Sequence, residues 1–482
     1  MTIWHKLITR RIGVQIAIAW NNALQLQKKV YEVTCRDNLT YWDGNKSDYY
    51  LDKQEWEKYH AGLYKLLDSE EVITTLPWKA KEFLENTLRE VQNTLSIDLK
   101  NLSNEQLAKI NAKIADKNDQ YYTRMWIIFF TGEPMAETVR SELLKKLGDK
   151  RKTDELLLSF SSPLELNDAM KERLELLEIA RNKNKLSEVE LEEKLIEHTE
   201  KFKHIPMFDF NHEPFTIKHF LNELEKIKNP EEELAEIKQS LIDRKEKFNE
   251  QLKALNLAQE SRMYKLIQML KFSVFLRDYR DGLRQKLNLE LKKLYEEIGK
   301  RADLTSSDLS LFTNKEIIDF LNGKLSVQHM QEESAQRHQS FLLIQRGQKI
   351  EIYSGHKAKE IAAKELALNK ETKLGEVKGI TGAKGKATGK AVIVHTNLDL
   401  NKVQDGCVLV AHMTRQDYVP AMRKCIAFVT DEGGITCHTA IIARELGVPC
   451  IVGTGNATEV FKDGDLIEVN TDKGTAKKVE KK

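Results

Sequence analysis

The chain has 482 residues, with 76 Lys and Arg against 74 Asp and Glu, 41% hydrophobic and 31% charged residues. A formal net charge of +2 gives no bulk attraction to nucleic acid, and no segment reads as a basic arm. No apolar run approaches the ~20 residues of a membrane helix, and five irregularly spaced cysteines argue against a disulfide framework and fit a reducing, cytoplasmic setting.

Taken in chain order, the start "MTIWHKLITRRIGVQIAIAW" has a basic patch and a short apolar stretch broken by Gln15. That is too weak for a signal peptide and reads as an amphipathic first helix. Residues 1–368 read as helix throughout, with sparse glycine and apolar residues at three- and four-residue steps, and with a candidate subdomain break near 200–215. All six tryptophans precede residue 130, and "YYTRMWIIFF" is the densest apolar cluster, suited to a core or to the wall of an apolar pocket. "HEPFTIKH" offers His212, Glu213 and His219. It lacks the i, i+4 histidine pair of a zinc helix, and Pro214 interrupts it, so no metal site is expected. Pro230 opens a long polar-faced helix. Further on, Leu276, Tyr279, Leu283, Leu287, Leu291, Leu294 and Ile298 form one helical stripe. Arg277, Arg280 and Arg284 share another face of that helix. They suit either an anion held by guanidinium groups or a solvated face paired with Asp278 and Asp281. Thr313 and Glu316 form a capping box, with Gly323 closing the helix.

Near Asn369 the texture changes. Residues 369–378 are polar and glycine-bearing and read as a linker. The runs "KAVIVH", "GCVLVAH", "IAFVT", "PCIVG" and "LIEVN" then read as short strands, with one helix at about 437–446. The expected fold class is multidomain α and α/β: a large all-helical N-terminal region, then a small α/β domain over 379–482. "GKATGKA" fails as a phosphate loop, because its glycine gap is one residue short and Ala391 stands where Ser or Thr would bind Mg²⁺.

The stretch "DEGGITCHTAIIARELGVPCIVG" carries the chemistry. Gly433 and Gly434 supply positive φ and close backbone approach after a buried strand, and Thr436 is placed to cap the following helix. Gly447 and Pro449 end that helix. His438 falls in its first turn, where unsatisfied N–H groups favour an anion and disfavour imidazolium. A neutral ring there can take a phosphoryl group; from spacing alone a capping or core histidine, the usual fate of a lone His, is the favoured reading.

"GGITCHTAIIARELGVPCIVGTGNAT" closely resembles the phosphohistidine, or swivelling, domain of the phosphoenolpyruvate-utilising enzymes, among them phosphoenolpyruvate synthase, pyruvate phosphate dikinase and the rifampicin phosphotransferases. "MTRQDYVPAMRKCIAFVTDE" and "GITGAKGKATGKAVIV" resemble its preceding segments. The resemblance implies a swivelling β/β/α phosphohistidine domain with His438 as phosphoryl acceptor, supported by the turn of Gly433, Gly434, Thr436 and Cys437. Thr439 and Lys384 depart from the common pattern without touching the nucleophile. Cys437 matches the ordinary Ser/Cys position of the motif.

The resembled enzymes carry an ATP-grasp domain that residues 1–368 do not show, and the synthase adds a barrel after the swivelling domain. The domain order resembles a rifampicin-phosphotransferase-like enzyme without its ATP-grasp part. Asp308-Leu-Ser-Leu-Phe-Thr313 and "FLRDYRDGLRQ" resemble segments of that acceptor region. What the resemblance implies is a phosphotransferase component of kinase or dikinase type. It would bind no cofactor alone, receive phosphate from Mg-ATP on a separate ATP-grasp subunit, and pass it to a small-molecule acceptor in the helical domain. Two alternatives stand beside it: a non-catalytic regulatory subunit that uses the swivelling domain for docking, and a phosphocarrier in a phosphoenolpyruvate-dependent relay.

Overall fold

The computed structural model describes residues 2–10, 13–32, 34–44, 46–366, 375–414 and 418–479. Residues 369–374 of the expected linker lie outside the described residues. Four long helices, Val14–Tyr31, Glu70–Leu95, Asn104–Leu147 and Arg262–Ala302, share one large apolar core. The last of these has 41 residues, about 60 Å of helix. Of the stripe read from sequence, Leu276, Leu283, Leu287, Leu291, Leu294 and Ile298 are buried in that core, with Tyr279 packed at its edge. Helices Asp168–Asn182, Glu188–Phe202 and Ile217–Lys226 form a satellite around Leu176, Leu195, Phe202 and Phe220. Pro230 is the first residue of the Pro230–Ala254 helix, where its missing N–H costs nothing. The Thr313–Glu316 capping box forms as expected, and a second, Thr305–Asp308, precedes it. Asp308 and Thr313 of the acceptor-like segment thus serve as helix caps.

The all-helical reading of residues 1–368 is corrected by a five-stranded antiparallel sheet. Its strands are β1 (Trp4–Arg10), β2 (Asn38–Trp42), β3 (Ser47–Asp52), β4 (Phe341–Arg346) and β5 (Lys349–Ser354), in the order β1-β3-β2-β4-β5. The first element is therefore a strand, with a helix following only at Val14. The sheet ties the two ends of the helical region together through the β2–β4 pairing, Asn38↔Gln345 to Trp42↔Phe341. Gly347, at φ +60°, turns the β4–β5 hairpin.

The second sheet has eight strands: β6 (Glu376–Lys378), β7 (Ile380–Ala383), β8 (Lys386–Val394), β9 (Val408–Ala411), β10 (Ala427–Thr430), β11 (Cys450–Val452), β12 (Leu466–Asn470) and β13 (Thr475–Lys478). Their order is β6-β13-β12-β8-β9-β10-β11-β7. Strands β8 to β11 run parallel, and the flanking pairs are antiparallel. Residues 376–378 form β6 and pair with β13, which corrects the linker reading for that stretch. Apolar clusters cover the sheet on both sides, one around Leu409, Phe428 and Ile442, the other around Val410, Val429 and Ile467. Continuous apolar runs such as "CVLVA" are what a doubly covered parallel strand requires. All five cysteines are buried free thiols. Among the described residues no helix is long and apolar enough to cross a membrane.

Candidate active site

Strand β10 ends at Thr430, the 431–437 turn follows, and the His438–Leu446 helix leads on to β11. The turn is shaped by Gly433. Its φ is +121°, and a Cβ there would lie 2.8 Å from Cys437 Sγ. Gly434 needs no positive φ; an added Cβ would make only ordinary contact with the Glu133 side chain at 3.5 Å. The helix cap is Cys437 rather than Thr436: Cys437 Sγ accepts from Ala440 N at 3.4 Å. Burial pushes the Cys437 thiol up, which suits a capping thiol and not a reactive thiolate. Thr436 is free for another task, since its Oγ1 accepts from Arg277 Nη1 at 3.0 Å. Gly447, at φ +67°, closes the helix as expected.

His438 is the first helical residue and half-buried, and its Nδ1 shares a 2.7 Å hydrogen bond with Thr414 Oγ1. Thr414 in turn bonds Thr439 Oγ1 at 2.9 Å. Thr439 is thus part of the histidine's support, although it departs from the common pattern. Behind it, the buried pair His412 Nδ1 and Asp431 Oδ2 lie 3.3 Å apart, and Thr458 N donates to Asp431 Oδ1 at 2.9 Å. Backbone bonds from Asp431 N to Ala411 O and from Glu432 N to His412 O fasten the turn to the 411–414 segment.

The domain docks on the helical region with this turn facing it. Ile441 joins the large helical core, with Met413 and Ile435 packed against the same cluster. Arg444 Nη2 donates to Ser161 O at 2.8 Å, Arg244 pairs with Glu445 at 3.4 Å, and Lys384 pairs with Glu155 at 3.2 Å. Gly132, inside the Asn104–Leu147 helix, lets the turn approach: a Cβ there would meet Thr436 Oγ1 at 3.2 Å and Arg277 Nη1 at 3.3 Å.

Between the two regions lies a narrow cleft, lined on one side by Thr414, Glu432 and His438 and on the other by Arg277, Arg280 and Arg284. The solvated-face reading of the arginines is therefore corrected. Their ion pairing explains little of their placement, since Arg280 Nη2 approaches Asp281 Oδ1 only at 3.6 Å. Arg280 is buried, donating to the carbonyls of Arg277 and Met125 at 3.0 Å each. Arg277 and Arg280 lie 4.9 Å and 5.1 Å from the Phe129 ring centre, and Arg284 lies 5.3 Å from that of Tyr122. Arg284 Nη2 donates to Phe208 O at 2.9 Å. Trp20, Trp126 and Phe129 form apolar wall, so the "YYTRMWIIFF" cluster serves both core and cavity.

The residues of "HEPFTIKH" do not converge on one point. His212 Nδ1 meets Asp209 at 2.7 Å, Glu213 pairs with Lys292 at 2.6 Å, and the His219 ring stacks on Phe215 at 3.7 Å. Among the described residues no group of three or more His, Cys, Asp and Glu side chains is arranged to hold a metal ion. Sequence reasoning missed Thr414 and Glu432. Thr414 lies in a stretch whose resemblance was visible, but only the fold shows that its hydroxyl reaches a ring 24 residues further on.

Comparison with known proteins finds matches in the C-terminal region. Residues 403–474 match the family model described as PEP-utilising enzyme, mobile domain. The chain is 48% identical over 98 residues to a probable phosphoenolpyruvate synthase of Methanothermobacter thermautotrophicus, covering 20% of this chain and 14% of that protein. It is 46% identical over 118 residues to the probable phosphoenolpyruvate synthase of Archaeoglobus fulgidus, covering 24% and 16%. With the phosphoenolpyruvate synthase of Escherichia coli it shares 40% identity over 129 residues, covering 27% and 14%. The chain thus spans only 14–16% of the length of these curated relatives. Over residues 403–474, in its C-terminal region, the chain is similar to the mobile domain of the PEP-utilising enzymes.

Proposed function

We propose that this chain is the acceptor-side component of a phosphotransferase, in which His438 carries a phosphoryl group from donor to acceptor. The observation that carries the reading is the placement of His438: it opens a helix and faces a cleft lined by Arg277, Arg280 and Arg284. The 2.7 Å contact permits the tautomer in which Nδ1–H donates to Thr414 Oγ1, and in that tautomer the lone pair on Nε2 is the nucleophile. The helix N-terminus and the guanidinium groups offset the charge of the transferring phosphoryl group. Mg-ATP bound to a separate ATP-grasp chain is the donor, and a small molecule in the cleft is the acceptor. In the docked arrangement Nε2 is shielded from solvent. Loading therefore requires the domain to leave the helical region, and discharge requires it to return.

The reading is tested by incubating the chain with labelled ATP and a candidate ATP-grasp partner. An acid-labile, base-stable adduct on the peptide containing His438 is the expected result. Label from phosphoenolpyruvate but not ATP would replace it with the relay, and absence of label from either donor would leave only a docking module.

A related prediction concerns the ring's support. Thr414→Val removes the hydrogen bond to Nδ1 and leaves the tautomer unselected. A neutral hydrogen bond of this kind contributes about 1 kcal/mol, so label transfer onto His438 should slow by roughly fivefold, measured by quench-flow. Thr414→Ser should retain most of the rate.

A further inference from the structure

Three carboxylates line the cleft that His438 faces, and two of them have partners. Asp278 accepts from Asn167 Nδ2 at 3.1 Å, and Asp281 lies 3.6 Å from Arg280 Nη2. The third, Glu432, is half-buried in the cleft wall, and among the described residues its carboxyl makes no hydrogen bond or ion pair. A carboxylate that no described side chain holds is left available to a molecule bound in the cleft. It sits six residues before the histidine on the rigid turn, with its backbone N–H held by His412 O at 3.0 Å.

We propose that Glu432 is the general base of the discharge step, taking the proton of an acceptor hydroxyl while the phosphoryl group passes from His438 to that oxygen. This inference rests on the reading of His438 given above and adds the acceptor's class, an alcohol or phenol whose apolar body contacts Trp126 and Phe129. In the step, the hydroxyl O–H bond breaks and its proton goes to the Glu432 carboxylate. An O–P bond forms, and the N–P bond breaks with its electron pair returning to Nε2. The ring can offer no second base, because Nδ1 is engaged by Thr414.

The charged surroundings agree with such cycling. Burial first, then Asp431 beside it and Glu133 on the Asn104–Leu147 helix, push the Glu432 carboxyl up to about 8, with Lys6 on β1 opposing. Arg277, Arg280 and Arg284 face the same space from the Arg262–Ala302 helix. A carboxyl that titrates near neutrality can both take and return a proton.

Water can stand in for the acceptor. The full chain is loaded with potassium phosphoramidate, a histidine-phosphorylating reagent, and decay of the acid-labile adduct at His438 is followed from pH 6 to 9.5, with His438→Ala as background. Wild-type decay should rise with pH and level off above about 8, where Glu432 is ionised. Glu432→Gln should abolish that limb and slow decay at its plateau by roughly 100-fold. Glu432→Ala, read the same way, guards against a folding defect in the glutamine chain. Superimposable profiles for wild type and both variants would overturn the role of Glu432 while leaving His438 intact. Failure of wild type to form any adduct at His438 would remove the phosphohistidine reading and this inference with it.

Discussion

Replacing His438 with asparagine is expected to reduce phosphoryl transfer to background while leaving the fold almost unchanged. Neither Cys437 nor Thr436 in the adjoining turn is placed to substitute as nucleophile. The Cys437 thiol is buried and held protonated, and Thr436 is bonded to Arg277. The structural cost is small, because the ring is half-buried and the asparagine amide can still reach toward Thr414. The loss should not exceed about 1 kcal/mol, a shift of a few degrees in the melting temperature. Label incorporation and a thermal melt on the same preparation check both halves. Persistent label on the asparagine chain would place the acceptor elsewhere.

The second large effect is expected at Arg277, which acts on both regions at once. Its Nη1 bonds Thr436 across the interface, and its remaining donors face the cleft. Charge-assisted hydrogen bonds contribute about 1.5–3 kcal/mol, so Arg277→Met should slow discharge from His438 to the acceptor by roughly 100-fold. Loading should move the other way or stay level, because a weaker interface frees the histidine for its donor. Arg277→Lys keeps the charge without the planar fork, and its discharge rate should fall between the two. Measuring loading and discharge as separate single-turnover steps distinguishes this from general damage. Equal slowing of both steps would mean that Arg277 only maintains the fold.

Much of the site was legible from local chemistry. Glycine at 433 is needed for a positive φ, Gly447 and Pro449 stop a helix, and a histidine in the first turn follows from that punctuation. The C-terminal strands were legible because doubly covered parallel strands read as unbroken apolar runs. The N-terminal sheet was hidden by its own geometry. β2 and β4 pair across some 300 residues, and "WHKLITR" mixes charge into a strand that borders the domain junction. The hairpin "FLLIQRGQKIEIYS" did carry a signal, two β-branched runs separated by a glycine turn. Beside so many helical periods it was overridden.

The sequence alone determined the turn, the helix that begins at His438, and the long helix that bears three arginines on one face, because each depends on residues within a few turns of one another. Tertiary structure alone decided that those two elements meet. It put Arg277 against Thr436, Thr414 against the imidazole, and Glu432 in the wall of the same cleft. The reason is physical: Arg277 and Thr436 are brought together by the docking of two regions, and Thr414 and the imidazole by the pairing of β9 with β10 within one of them. Docking is selected by shape, as at Gly132 and Ile441, and no periodicity along one chain segment records it.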